Sequence, residues 1–191
     1  MSKTIALLVT LDTKDQEAGY LVEQIESKGH QALLIDIGVV GIPGIDANIT
    51  REDVIKEGGG DLGEILKSPT REKSNPFVVG GCISILNTAI SEDKVHAVIG
   101  LGGTQGTSTC CDIMQELPYG FPKIMVSTIA SGDTSGFVGI KDITMMFSVS
   151  DILKLNPFTR KILANAAAAA CGRGFSTLLL SSTGGKAWDK I

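Results

Sequence analysis

The chain has 191 residues and a mass of 20.0 kDa, the upper edge of one ordinary domain and too short for two full ones. Hydrophobic residues make up 43% and charged residues 20%, which excludes disordered and fibrous classes and leaves enough apolar material for a core. With 17 basic against 21 acidic side chains the formal charge is −4, the wrong sign for gripping a phosphate backbone, and no run reaches the ~18 apolar residues of a membrane span, so neither nucleic acid nor membrane is an expected partner.

Five short runs rich in Ile, Val and Leu, at residues 4–11, 31–37, 97–101, 123–128 and 143–149, lack strict polar alternation. Strands that are apolar throughout are those covered on both faces, so these runs predict an α/β domain with a mainly parallel sheet of five strands or slightly more. The first run is followed by residues 14–28, where Ala18, Leu21, Val22 and Ile25 recur at helical spacing. Thr13 and Gln16 fit a capping box at its start, and Gly29 supplies its stop. Residues 38–96 are the least regular part, with breaks at Gly58-Gly59-Gly60 and Gly80-Gly81 and a polar span at 68–76. A loop, a short helix at 52–57, an exposed connection and a helix from Pro76 to 93 are predicted there, the whole excursion lying on the rim of a site. Another helix is predicted at 106–117. The last begins at Asn156-Pro157, with proline in the first turn where its missing N–H costs nothing. Its Ala164–Ala170 stretch fits a buried core helix, and alternatively a surface for self-association.

In an open parallel sheet, ligands bind outside the carboxyl ends of the strands, so the residues following each run are the candidates for chemistry. The sharpest signal follows the third run: in GLGGTQGTS, Gly102, Gly103, Thr104, Gly106, Thr107 and Ser108 lie between a buried strand and a helix, where peptide N–H groups and the helix dipole can meet a phosphate. The sequence is not a Walker A loop, and Gln105 occupies the last glycine place of the G-x-G-x-x-G pattern. After the fourth run, Ser127, Thr128, Ser131, Gly132 and Asp133 add hydroxyls and a glycine at the same edge. After the first and second stand Asp12, Thr13, Lys14, Asp36 and Gly38. Asp36 is of the type that accepts ribose hydroxyls, and equally of the type that holds a turn. Asp12 and Asp151 are candidates for Mg²⁺, a hard cation suited to carboxylate oxygen, or for capping their own helices. Lys14 could neutralise phosphate charge, although a lysine in a first helical turn is more often solvated.

His30 and His96 precede strands and belong to the opposite edge, which leaves the site without a histidine base. Cys110 and Cys111 fall in the first turns of the helix after the Gly-rich loop, where packing is the expected role. Four cysteines with no C-x-x-C, and a first apolar run that meets Asp12 too early for a signal peptide, point to reducing cytoplasm.

Taken together, LDTK at 11–14, VIGLGGTQGTS at 98–108, PKIMVSTIASGDT at 122–134, VSDI at 149–152 and NAAAAACG at 165–172 resemble the N-terminal domain of the ATP-binding family of tomato mosaic virus resistance proteins and their mostly uncharacterised bacterial relatives. The matches span most of the chain apart from residues 40–90. The resemblance implies a Rossmann-like three-layer domain at 1–183, ATP with Mg²⁺ bound to it, and a homodimer. It also implies a second Rossmann-like domain, with residues 184–191 as the start of the linker. Where this loop has Gln105, the plant protein has a smaller residue. Three readings follow: a nucleotide-binding domain with slow hydrolysis at most, part of an enzyme acting on a phosphorylated small metabolite, or a dimerisation and interaction module.

Overall fold

A computed structural model describes the backbone of residues 2–181 and the side chains of residues 2–172. The expected linker at 184–191 lies outside the described residues. The elements run β1 (Thr4–Val9), α1 (Asp15–Glu26), β2 (Gln31–Asp36), α2 (Arg51–Glu57), α3 (Leu62–Leu66), α4 (Arg71–Ser91), β3 (Ala97–Gly102), α5 (Thr104–Gln115), β4 (Lys123–Ser127), α6 (Ser135–Val138), β5 (Ile143–Phe147) and α7 (Pro157–Ser181). All five predicted strands form one sheet, every pairing is parallel, and the order is β2-β1-β3-β4-β5.

The apolar runs are continuous because alternate residues of each strand feed two different cores. From β1, Ile5, Leu7 and Val9 pack with α1 and α7, whereas Ala6 and Leu8 pack with α2, α4 and α5. β3 and β4 divide in the same way, with Ile99 and Val126 on the first face and Val98 and Met125 on the second. The result is a three-layer α/β sandwich of the Rossmann-like kind. Ala166, Ala167 and Ala170 are fully buried, so the inward face of the Ala-rich stretch belongs to the core, where small side chains bring α7 close to the sheet.

Local expectations are corrected at the starts of two helices, and two short helices are added. The N-cap of α1 is Lys14, with no side-chain cap; Thr13 Oγ1 instead shares a hydrogen bond with Thr10 Oγ1 at 3.1 Å, inside the turn. The reciprocal capping box belongs to α2, between Thr50 and Asp53. α4 starts at Arg71, five residues before the expected Pro76: Thr70 is the extended N-cap, and the proline removes only one early bond while Ser74 and Val78 are already buried. Finally, α3 and α6, of five and four residues, are too short to leave a periodic signal. Gly29 does end the first helical segment, at φ +78°, with its N–H on Glu26 and that of His30 on Ile25. Among the described residues, no helix is long and apolar enough to cross a membrane.

Candidate functional site

The strand order reverses direction between β1 and β3, and at such a switch the loops leaving the two strands turn to opposite faces and leave a crevice. A cavity of about 430 Å³ occupies this place. The turn after β1 contributes Thr10, Asp12, Thr13 and Lys14; the loop after β2 contributes Gly38, Val39 and Val40; and β3 with the start of α5 contributes Gly102 through Gly106. Asp12, Thr13, Lys14, Gly38, Gly102, Gly103, Thr104 and Gly106 are thus the predicted site residues brought together.

Two of these glycines are explained by neither backbone nor packing. A Cβ on Gly103 would come no closer than 3.7 Å to Thr128 Oγ1, and one on Gly106 no closer than 3.6 Å to the Leu101 carbonyl oxygen. Neither residue has a positive φ. Their missing side chains leave space at the start of α5, whose first amides have no acceptor within the helix. Gly102 differs, because a Cβ there would lie 2.7 Å from the Gly106 Cα, and its glycine is required for the turn itself.

The remaining predicted residues serve the frame of the cavity or lie beyond its lining. Asp36 is 1% exposed, and its Oδ1 accepts the N–H groups of Leu11 at 3.2 Å and Gly38 at 2.8 Å. Burial pushes its carboxyl above the ordinary value, against the pull of those amides and of Arg51. Its role is to tie the turn after β1 to the loop after β2. Thr107 and Ser127, both fully buried, hydrogen-bond each other through their hydroxyls at 2.7 Å, and the Thr128 N–H donates to the Gly102 carbonyl at 3.3 Å. The two glycine-bearing turns are therefore neighbours, but the hydroxyls that join them are engaged with each other. Ser108 is partly buried within α5. Ser131, Gly132 and Asp133 are exposed; Asp133 accepts the Ser135 N–H at 2.9 Å, which holds its carboxyl below the ordinary value. Asp151 is exposed in the loop after β5 and does not line the cavity. The expectation of a solvated Lys14 is corrected: the side chain is buried, and its Nζ donates to the Ile152 carbonyl at 2.8 Å, fastening α1 to that loop.

Arg51 carries no motif that marks it in the sequence, yet it shapes the cavity wall. Its guanidinium donates to the carbonyls of Val39 (3.3 Å), Val40 (3.2 Å) and Gly41 (2.9 Å), pinning the loop after β2. Gly41, at φ +78°, lies so close to Asp12 that a Cβ would come within 2.7 Å of the carboxylate.

A second cavity of about 280 Å³ shares Thr10, Val39, Val40, Gln105 and Gly106 with the first. Ile37, Pro69, Thr70, Arg71, Ser74, Asn75, Val78 and Thr109 complete it. Its α4 wall lay unseen because Pro76 read as a helix start.

The histidines lie at the opposite edge, where His30 Nδ1 accepts the N–H of Lys3, just before β1, and His96 Nδ1 that of Thr4, its first residue, both at 3.1 Å. Cys110 and Cys111 are fully buried, and burial pushes their thiols up, that of Cys111 to about 12, as suits packing.

Comparison with known proteins shows the family to which the sequence belongs. Residues 3–176 match the model of the N-terminal domain of the uncharacterised protein family UPF0261. A UPF0261 protein of Clostridium tetani is 41% identical over 172 residues, covering 90% of this chain and 43% of its own length. Two tomato (Solanum lycopersicum) proteins, the ToMV susceptible protein tm-1(GCR26) and the ToMV resistance protein Tm-1(GCR237), are each 30% identical over 186 residues. In both cases the match covers 90% of this chain and 25% of the tomato protein. The chain thus spans under half the length of these relatives.

Proposed function

The chain belongs to the UPF0261 family, matching its N-terminal domain, and on that premise we propose that it is a nucleotide-binding domain. ATP places its phosphates in the larger cavity, on the first amides of α5. One observation carries the reading: Gly103 and Gly106 are demanded by neither conformation nor packing, and both line the cavity at the start of α5, beside those amides. Asp12 is the one carboxylate among the described lining residues, and Lys14, the one cationic residue there, has its Nζ engaged by the Ile152 carbonyl, which leaves the α5 amides as the donors for phosphate.

The residues fit a magnesium nucleotide in a particular way. Among the described residues no group of three or more His, Cys, Asp or Glu side chains could hold a metal alone. Mg²⁺ would therefore be held by Asp12 together with phosphate oxygens and water, as is usual for this cation. The metal's chemistry there is neutralisation of phosphate charge. Asp36 and Arg51 fix the two loops that carry the site, and no side chain is assigned as a general base, so the proposal is binding with at most slow hydrolysis.

Calorimetry of the chain with ATP and Mg²⁺ tests this. Binding is expected for the wild type, and Gly103→Val is expected to weaken it at least tenfold, about 1.4 kcal/mol, without a comparable fall in thermal stability. Absence of any response at millimolar nucleotide, or an unchanged affinity in the variant, would sink the proposal. The setting we propose is the cytoplasm, consistent with four free and buried cysteines. The proposal extends to a homodimer and to a second domain of the longer relatives. Light scattering that finds only monomer, for this chain and a full-length relative alike, would remove the dimer.

A further inference from the structure

We propose that the second, smaller cavity binds the carboxylate of a small organic acid beside the nucleotide, so that the domain holds two ligands at once. The inference rests on the nucleotide reading only for what occupies the neighbouring cavity. At about 280 Å³ the space is at the small end of ligand sites.

The polar groups facing it are matched to an acceptor-rich anion. Arg71 is the only charged side chain among the described lining residues. The Asn75 amide has a defined orientation, because its Oδ1 accepts the Thr109 hydroxyl at 2.8 Å, which leaves the NH₂ donors free to serve a ligand. The Ser74 hydroxyl is spent on the Thr70 carbonyl at 3.1 Å. A guanidinium and an amide NH₂ with no carboxylate beside them select carboxylate or phosphate oxygen over a neutral base.

The walls decide between those two anions. Ile37, Val39 and Val78 present apolar surface that a bare phosphate would leave unused and a short carbon skeleton would cover. Gln105 and Gly106 line both cavities, so the acid sits directly against the start of α5.

Calorimetry with succinate, its diamide and inorganic phosphate tests the assignment on the wild type and on Arg71→Gln, Asn75→Asp and Gly103→Val. Asn75→Asp keeps the oxygen that Thr109 needs while replacing donors by negative charge, so its effect does not depend on loss of the fold. Succinate is expected to bind and the diamide not. Both Arg71→Gln and Asn75→Asp are expected to weaken succinate at least tenfold and to keep ATP, whereas Gly103→Val keeps succinate and loses ATP. No succinate binding up to about 10 mM, a concentration that would detect a site of only a few kcal/mol, overturns the proposal. So do equal affinities for phosphate and succinate, affinity unchanged in both cavity variants, or loss in Gly103→Val alone. If succinate binds as expected and ATP never does, the nucleotide reading falls and the acid site stands.

Discussion

Gly81→Ala is expected to cost the fold about 3 kcal/mol or more, the upper range for overpacking a core. Gly81 is buried in the middle of α4 where that helix crosses α2, and a Cβ there would collide with the Val54 carbonyl oxygen of α2. Because the obstacle is backbone, no rotamer change can relieve it, and the two helices must part. The adjacent Gly80 provides the control: a Cβ on it would meet nothing within 4 Å, so Gly80→Ala should be neutral or stabilising by up to ~1 kcal/mol through helix propensity. The guanidinium unfolding midpoint should therefore fall in Gly81→Ala and hold or rise in Gly80→Ala. Equal shifts would show that the α2–α4 contact does not depend on close backbone approach.

Lys123→Met is the second large effect. The side chain of Lys123 is fully buried at the start of β4, and its Nζ donates to the carbonyls of Pro118 and Phe121, both at 2.7 Å, while lying 2.9 Å from Asp142 Oδ1. Methionine keeps the apolar stem but removes the ammonium that all three oxygens share, although the Pro118 carbonyl keeps the Phe121 N–H at 3.3 Å; the loss is about 3 kcal/mol, or roughly 6–12 °C in Tm for a chain of this size. Burial alone would raise the Asp142 carboxyl, but the hydrogen bond and charge of Lys123, with the Gly120 N–H, outweigh it and hold the group below its ordinary value. A carboxyl depressed in the fold adds stability above the unfolded pKa near 4 and loses it as pH falls through the lower folded value. The wild type should accordingly lose this contribution below about pH 4, and Lys123→Met should show a shallower acid limb. A full-depth acid limb in the variant would remove Lys123 as its cause.

The strands were legible because β1, β3 and β4 are covered on both faces, and double coverage writes an unbroken apolar run into the sequence. Their spatial order was not, since pairing of β1 with β3 is a long-range event with no local mark. Residues 38–96 were misread for the same kind of reason. Gly80-Gly81 resembled a break, yet one of the two is the crossing point of a 21-residue helix, and Pro76 resembled a boundary within that helix. Of the candidates named from their position after strands, Asp12, Thr13, Lys14, Gly38, Gly102, Gly103, Thr104 and Gly106 line one cavity, whereas Asp36, Asp151 and the residues after β4 do not. Lys14 was misjudged because its acceptor, the Ile152 carbonyl, lies 138 positions away. Arg51 and Asn75 were missed because their importance lies in which distant groups they meet.

The place of β1 between β2 and β3 has a consequence for how the chain assembles in time. Thr4 and His96, joined by a hydrogen bond at the start of the β1–β3 ladder, are 92 positions apart. Emerging from the ribosome, β1 and β2 can associate once α1 and β2 are made, but the other flank of β1 then waits, uncovered, until β3 is synthesised. The entropy of closing so long a span rises only slowly with length, by about 0.6 kcal/mol per doubling, so the delay weighs on speed of maturation and exposure to aggregation more than on final stability.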